Sequence, residues 1–288
     1  MSIELAAREI AVKNIEVLKD IYQGKSHEHS GTFSIFSALL SRFRKFPELQ
    51  NCLKLYVLSD DWKRDGAFVA IFQTLEAESY VFFDTLDHSL NETLKNCIAL
   101  LDFSTTIKMY DIRRIFLPIV YDVINSQNLS AIERADLICY MLPKMEALNL
   151  KITLPTNFTI DSLSQDNVSQ VNSAWSHKSE GSEKYISHVI KNNTSIGLFD
   201  EMNRLVAWCL RHDSGALGVL QVDSNHLRKG YGSIVAKAIS KKIAEEDDCD
   251  INATIVSENV KSVEMFKKTG FKEEWQTWLL VIKNQGKS

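Results

Sequence analysis

No apolar run in the sequence approaches the ~20 residues that a membrane-crossing helix needs, so no membrane partner is expected. Cysteine is sparse: Cys52, Cys97, Cys139, Cys209 and Cys249 are scattered, with no CxxC pair. That pattern excludes a disulfide frame and a cysteine zinc site, and predicts free thiols in a reducing compartment. The seven histidines contain no HExxH or HxxxH spacing; His27 and His29 are close, but a polar loop accounts for them, and no metal is expected. Neither GxxxxGK[ST] nor GxGxxG with a downstream acid is present, which removes the two commonest nucleotide-phosphate motifs. Positive charge is not in excess: the formal net charge is −4, which argues against a nucleic-acid partner. The amino terminus lacks the basic start and apolar core of a secretion signal, and Glu4, Glu9 and Glu16 are out of place in a transit peptide. A cytoplasmic location is expected, with a mitochondrial one second.

Hydrophobic residues make up 45% and charged residues 24%, ordinary for a globular chain, and 288 residues allow one or two domains. Helical periodicity covers Ile3–Tyr22 and Ser34–Phe43. Three β-rich runs follow, "LKLYVL", "AFVAIF" and "YVFFDT". Residues 89–102 and 111–125 read as helices. So does the stretch from Ser130, where Glu133 stands three residues on as in a capping box. A boundary near Pro155 divides an N-terminal α/β domain, 1–150, from a second domain, 155–288. In the second domain Asp161–Trp175 and Ser182–Lys191 read as helices. "TSIGLFD", "RLVAWCLRH" and "GALGVLQVD" read as antiparallel strands, then come a helix from Lys229, the strand "INATIVS", a helix ending at Gly270, and the strand "EEWQTWLLVIK". No direct repeat is visible.

The segment with chemistry is "GVLQVDSNHLRKGYGS". A helix N-terminus offers unpaired amide donors and partial positive charge. Gly230 and Gly232 sit where such a helix opens, and glycine lets an anion approach the backbone. Arg228 and Lys229 add full charge beside them. The expectation is an anion cradle, although tight packing alone also explains a GxG at a helix start.

Taken with "IVSEN" and "MFKKTGF", the stretch from about Leu217 to Phe271 resembles the acyl-CoA-binding core of the GNAT superfamily of N-acyltransferases. In that family a strand leads into an (R/Q)xxGx(G/A) loop at a helix start. More narrowly, "AWCLRHDSG" and "EEWQTW" are similar to the glycine N-acyltransferase group. The resemblance implies an α/β (α+β) protein whose C-terminal half is a GNAT fold with a mixed, mostly antiparallel sheet. It implies acetyl-CoA or a longer acyl-CoA as co-substrate and a small amine or amino acid, such as glycine, as acceptor. By the same resemblance, the backbone of Leu220, Gln221 and Val222 would bind pantetheine like an added strand. Arg228, Lys229, Gly230, Tyr231, Gly232 and Ser233 would hold the pyrophosphate, Asn259 would contact the arm near the thiol, and Phe266 would line the thiol pocket. Asn259 also reads simply as a helix cap.

Three positions depart from the family pattern. Leu227 occupies the Arg/Gln place of the loop, with Arg228 one residue later. Ala216 falls where the glycine N-acyltransferases carry a base, and Phe266 where many GNAT enzymes carry a tyrosine acid. An amine must lose a proton to attack, so a base is needed elsewhere. His212 and Asp213 are available through water, but as turn residues they are expected to be solvated. Slow acyl transfer and plain acyl-CoA binding or sensing are both compatible with this pattern.

Overall fold

The computed structural model describes residues 3, 6–25, 29–75, 78–247 and 249–284; Glu4 and His27 lie outside them. The chain forms two compact units. The first comprises residues 1–36, 43–137 and 275–288, and the second residues 37–42 and 138–274. The division thus falls at 137/138, earlier than the stretch around Pro155. Two short segments are grouped with the half to which they do not belong in sequence.

The first unit opens with β1 (Arg8–Ile10), α1 (Ile15–Tyr22) and α2 (Ser30–Lys45). Next come β2 (Leu53–Val57), the single turn α3 (Trp62–Asp65), β3 (Phe68–Leu75) and β4 (Glu78–Asp84), then α4 (Asn91–Ala99), β5 (Thr106–Ile112), α5 (Leu117–Ser126) and β6 (Leu129–Leu142). In the second half α6 (Lys144–Leu148) precedes β7 (Thr159–Asp161), α7 (Val168–Ala174) and α8 (Ser182–Asn192). β8 (Ser195–Phe199), β9 (Leu205–Arg211) and β10 (Leu217–Val222) follow, then α9 (Tyr231–Asp247), β11 (Ile251–Val256), α10 (Val260–Lys268) and β12 (Lys272–Asn284).

The two halves repeat one topology. β1 to β4 pair antiparallel in sequence, and β4 pairs parallel with β5 across α4. β7 to β10 do the same, and β10 pairs parallel with β11 across α9. Each half then ends in a helix and a last strand. In the first unit β5 is completed by the antiparallel β12, for example Trp278 opposite Ile112. In the second unit, residues 138–142 of β6 stand next to β11.

Each unit has its own core. In the first, Val69, Val81, Ile98, Met109, Val120 and Leu280 pack together. In the second, Ile196, Cys209, Leu217, Val235, Ile239, Ala253 and Phe271 do so. α8 shows why these segments are helical: it buries Tyr185, Ile186, Val189 and Ile190, a stripe at helical spacing, and leaves its other face polar. Trp208, Trp275 and Trp278 are all buried.

Some local expectations fail. Residues 129–142 form a strand, not a capped helix. Arg134 Nε donates to Asp136 Oδ1 at 2.9 Å, a contact between residues two apart that strand geometry allows and a helix does not. The capping-box spacing at Ser130 and Glu133 is a local pattern overridden by strand pairing. Residues 8–10, read as helix, are a strand on β2, and residues 106–112 are a strand marked by buried Ile107 and Met109 in alternation. The helix read over Asp161–Trp175 shrinks to Val168–Ala174. No helix among the described residues is long and apolar enough to cross a membrane.

Candidate functional site

The two parallel strand pairs differ sharply. β4 and β5 run in register over four pairs, from Glu78–Thr106 to Val81–Met109. β10 and β11 are in register only at Leu217–Ala253. Beyond that point the two strands part, and the backbone of residues 218–222 presents an edge that β11 does not take up. The cause lies in β10 itself. Its register against β9 shifts between Gly218 and Gln221, and Val219 has φ 48°. A β-branched residue in the left-handed region is strained by about 1–3 kcal/mol. The bulge turns the strand out of its ladder, as such insertions do next to functional sites.

The released edge leads to the opening of α9. Asp223 Oδ1 accepts the Asn225 amide at 2.9 Å and caps the single turn Ser224–His226. These bonds hold the Asp223 carboxyl below its usual range. Arg228 (φ 61°) and Gly230 (φ 81°) then take left-handed conformations, which curve successive amides into a concave nest. The first bond back into the helix runs from the Ile234 amide to the Gly230 carbonyl. A Cβ placed on Gly230 would meet nothing within 4 Å, so the glycine faces open space. A Cβ on Gly232 would touch Leu220 and Val222, each at 3.5 Å. Gly232 therefore lies directly on the released strand. Leu227, at the place of the expected Arg/Gln, is 57% exposed, and Arg228 and Lys229 are exposed beside it. The corresponding turn of the first unit is likewise capped, by Asp87, but there Glu92 stands in the first turn of the helix α4.

The structure brings Leu220, Gln221 and Val222 together with residues 228–233. Within this group the Tyr231 ring is buried against Phe158, 5.3 Å between centroids. Ser233 lies in the first turn of α9. Asn259 caps α10, its carboxamide accepting the Ser262 amide at 3.2 Å. Phe266 is 4% exposed and packs edge-to-face on Phe271, so in the structure it is a core side chain and presents no open wall.

The expectation that His212 and Asp213 are solvated is wrong. Asp213 is 2% exposed, bonded to Arg42 and to Asn193 Nδ2 at 2.8 Å, with His188 Nε2 at 3.4 Å. Burial pushes its carboxyl upward, but Arg42 and His188 outweigh that and hold it far below the carboxylate range. Such a group is no base at neutral pH. His212 is partly buried, with Nδ1 2.7 Å from the Tyr185 hydroxyl and its ring stacked on Tyr185. A Cβ on Gly218 would fall 2.0 Å from His212 Nε2, so the imidazole edge lies on the backbone of the bulge. Burial lowers its pKa from 6.5 to about 4, opposed by the charge of Asp213 and reinforced by His177. Ala216, the place of the expected base, is 2% exposed, and its carbonyl accepts the His212 amide at 2.8 Å. The sequence offered His212 as a base acting through water from a solvated turn; its close approach to Gly218 was not expected.

A stability effect follows from His212. The unfolded chain takes up its proton near pH 6.5, whereas the folded chain resists protonation until about pH 4. Stability therefore falls as pH drops through that window. His212→Gln should flatten the difference in urea midpoint between pH 7 and pH 4.5. Asp213, held low, titrates beneath this range and leaves the comparison intact.

The turn itself is clamped. Arg211 donates from Nε to the Gly215 carbonyl at 2.9 Å and pairs with Asp247, which also accepts from Ser41. None of the five cysteines is in a disulfide, and burial pushes the Cys209 thiol well above its usual range. Among the described residues, no group of three or more His, Cys, Asp or Glu side chains is placed to hold a metal ion.

Residues 195–280 match the family described as FR47-like protein. No curated protein matches the chain in sequence. Among solved structures, a Drosophila protein superposes with TM-score 0.85 at 21% identity, over 97% of this chain and 99% of that one. A tandem GNAT protein from the clavulanic acid biosynthesis pathway gives TM-score 0.56 at 9% identity, over 98% and 99%. A GCN5-related N-acetyltransferase from Sphaerobacter thermophilus gives 0.54 at 11%, over 96% and 94%. These likenesses show an α/β chain with a mixed sheet and the GNAT fold.

Proposed function

We propose that the protein is an acyl-CoA-dependent N-acyltransferase that acylates a small amine or amino acid, with glycine as the type of acceptor. The observation that carries this reading is the released edge of β10, running from the Val219 bulge to the open amides at the start of α9. Pantetheine satisfies that edge as an added strand, along Leu220, Gln221 and Val222. The pyrophosphate sits on the amides of Arg228 to Ser233, where the helix dipole and two cationic side chains favour it. Asn259, at the start of α10, stands toward the thiol end of the arm. The acyl carbonyl then lies at the bulge, where the acceptor nitrogen attacks. Holding both reactants in line removes much of the entropic barrier. Acetyl-CoA or a longer acyl-CoA is the co-substrate, the location is cytoplasmic, and neither nucleic acid nor membrane is a partner.

A second reading, an acyl-CoA-binding or sensing protein with little turnover, rests on the apolar residues at 216 and 266. The two readings separate in one assay. Release of free thiol from acetyl-CoA is followed with the full chain and the twenty amino acids plus simple primary amines. Release that depends on both the amine and the protein is expected. Binding of acetyl-CoA with no amine-dependent release would leave only the second reading.

A further inference from the structure

We infer that His212 is the catalytic base: its Nε2 takes the proton from the acceptor amine at the β10 bulge, with Tyr185 as the positioning residue that holds the ring. This rests on the N-acyltransferase reading and adds to it the group that removes the proton.

The geometry has three parts. The imidazole edge lies on Gly218, immediately before the strained Val219, so Nε2 is at the point where β10 leaves its ladder. Only glycine leaves room for the ring there. Nδ1 is 2.7 Å from the Tyr185 hydroxyl, and Nε2 has no partner among the described residues. With Nδ1–H donating to the Tyr185 oxygen, the lone pair is on Nε2. Finally, the ring is held by a stack on one side. Tyr185 stacks on it at 6.0 Å and 20°, and Trp175 stacks on Tyr185 at 6.0 Å and 24°. The turn that carries His212 is tied down through Arg211 and Asp213 to Asp247 and Arg42.

The step balances without any further reagent. The amine nitrogen bonds to the thioester carbonyl carbon, and the C–S bond breaks with its electron pair leaving on sulfur. The proton on nitrogen, made acidic by the new bond, passes to Nε2 and from there to solvent or the thiolate. The charged and titratable groups facing the ring are Tyr185 on α8, Asp213 beside it in the turn, and His177 on the loop before α8. Their balance with burial keeps the imidazole neutral at pH 7. A neutral imidazole of low basicity accepts a proton from the attacked nitrogen but does not strip one from a free ammonium ion. The rate should therefore rise with pH as the amine loses its own proton, with no inflection from His212 near neutrality.

The test uses the full chain with acetyl-CoA, and with glycine or the less basic aminoacetonitrile as acceptor. His212→Ala and His212→Gln should lower kcat/KM for glycine by roughly 10²–10⁴-fold, the usual contribution of a general base. KM for acetyl-CoA and the acetyl-CoA-induced rise in Tm should stay as in the wild type. The loss should be smaller with aminoacetonitrile, and added imidazole should restore part of the rate to His212→Ala. Gly218→Ala, whose methyl would lie 2.0 Å from Nε2, should displace the ring and copy the loss. Tyr185→Phe should lower kcat without changing KM for acetyl-CoA. An active wild type with His212→Gln at full rate and unchanged pH profile overturns the role alone. So does a loss in His212→Ala that imidazole does not restore and that comes with a diminished acetyl-CoA shift, since that marks a structural residue. A wild type that binds acetyl-CoA but releases no thiol with any amine overturns the acyltransferase reading and this role with it.

Discussion

Asp247→Ala should destabilise the second unit by about 3–5 kcal/mol, the cost of stripping a buried ion pair of one partner. Asp247 accepts from both Arg211 and Ser41, and its side chain and that of Arg211 are almost wholly inaccessible. Without the carboxylate, the Arg211 guanidinium keeps the Gly215 carbonyl and a weak contact to Cys249 Sγ at 3.6 Å, and its charge is left uncompensated in the interior. The same loss releases the turn that carries His212, so acyl transfer should fall even at temperatures where the variant stays folded. Chemical denaturation at pH 7 measures the first effect. A cost below 1 kcal/mol would mean that the pair is hydrated and that Arg211 does not brace the turn. Asp247→Asn separates charge from hydrogen bonding: it keeps an acceptor for Ser41 and Arg211, and its cost should lie between those of the wild type and alanine.

Most of the second half was legible in the sequence because each element there carries its own short-range code. β8, β9 and β10 are apolar runs between polar turns, α9 opens on glycine, and α10 closes with Gly270 at φ 101° after an Asn259 cap. The duplication was not legible, because what repeats is strand order and pairing sense, not side chains. β6 was misread because Ser130 and Glu133 imitate a helix start, while the pairing that makes it a strand is made with elements distant in sequence. Asp213 and His212 were misjudged for a related reason. Turn residues are solvated by default, and the Arg42 that buries Asp213 lies 171 positions away. The bulge at Val219 left no trace either, since valine is an ordinary strand residue and only the register shows it in the left-handed region. What local pattern does carry is the proposed cradle: Gly230 and Gly232 stand at the opening of α9, and the structure leaves the first open and sets the second on Leu220 and Val222.

That cradle makes Gly232→Glu the sharpest probe of the site. Its Cβ meets Leu220 and Val222 at 3.5 Å, ordinary contact distance, so a β-carbon there clashes with nothing. A carboxylate in the first turn of a helix is favourable to the macrodipole, so the ligand-free protein should be as stable as the wild type or slightly more so. The same charge opposes a pyrophosphate at the amides it would have occupied. Folding and binding should therefore move apart, which a merely disruptive substitution does not do. The decisive measurement is the Tm of wild type and Gly232→Glu with and without acetyl-CoA at about one hundred times its Kd for the wild type. There binding to the native state alone adds about 2.7 kcal/mol. The wild type should shift upward by several degrees and the variant not at all, from an equal or higher starting Tm. A variant that keeps the wild-type shift, or a wild type that shows none at any acetyl-CoA concentration, would contradict the placement of coenzyme A along β10 and the start of α9.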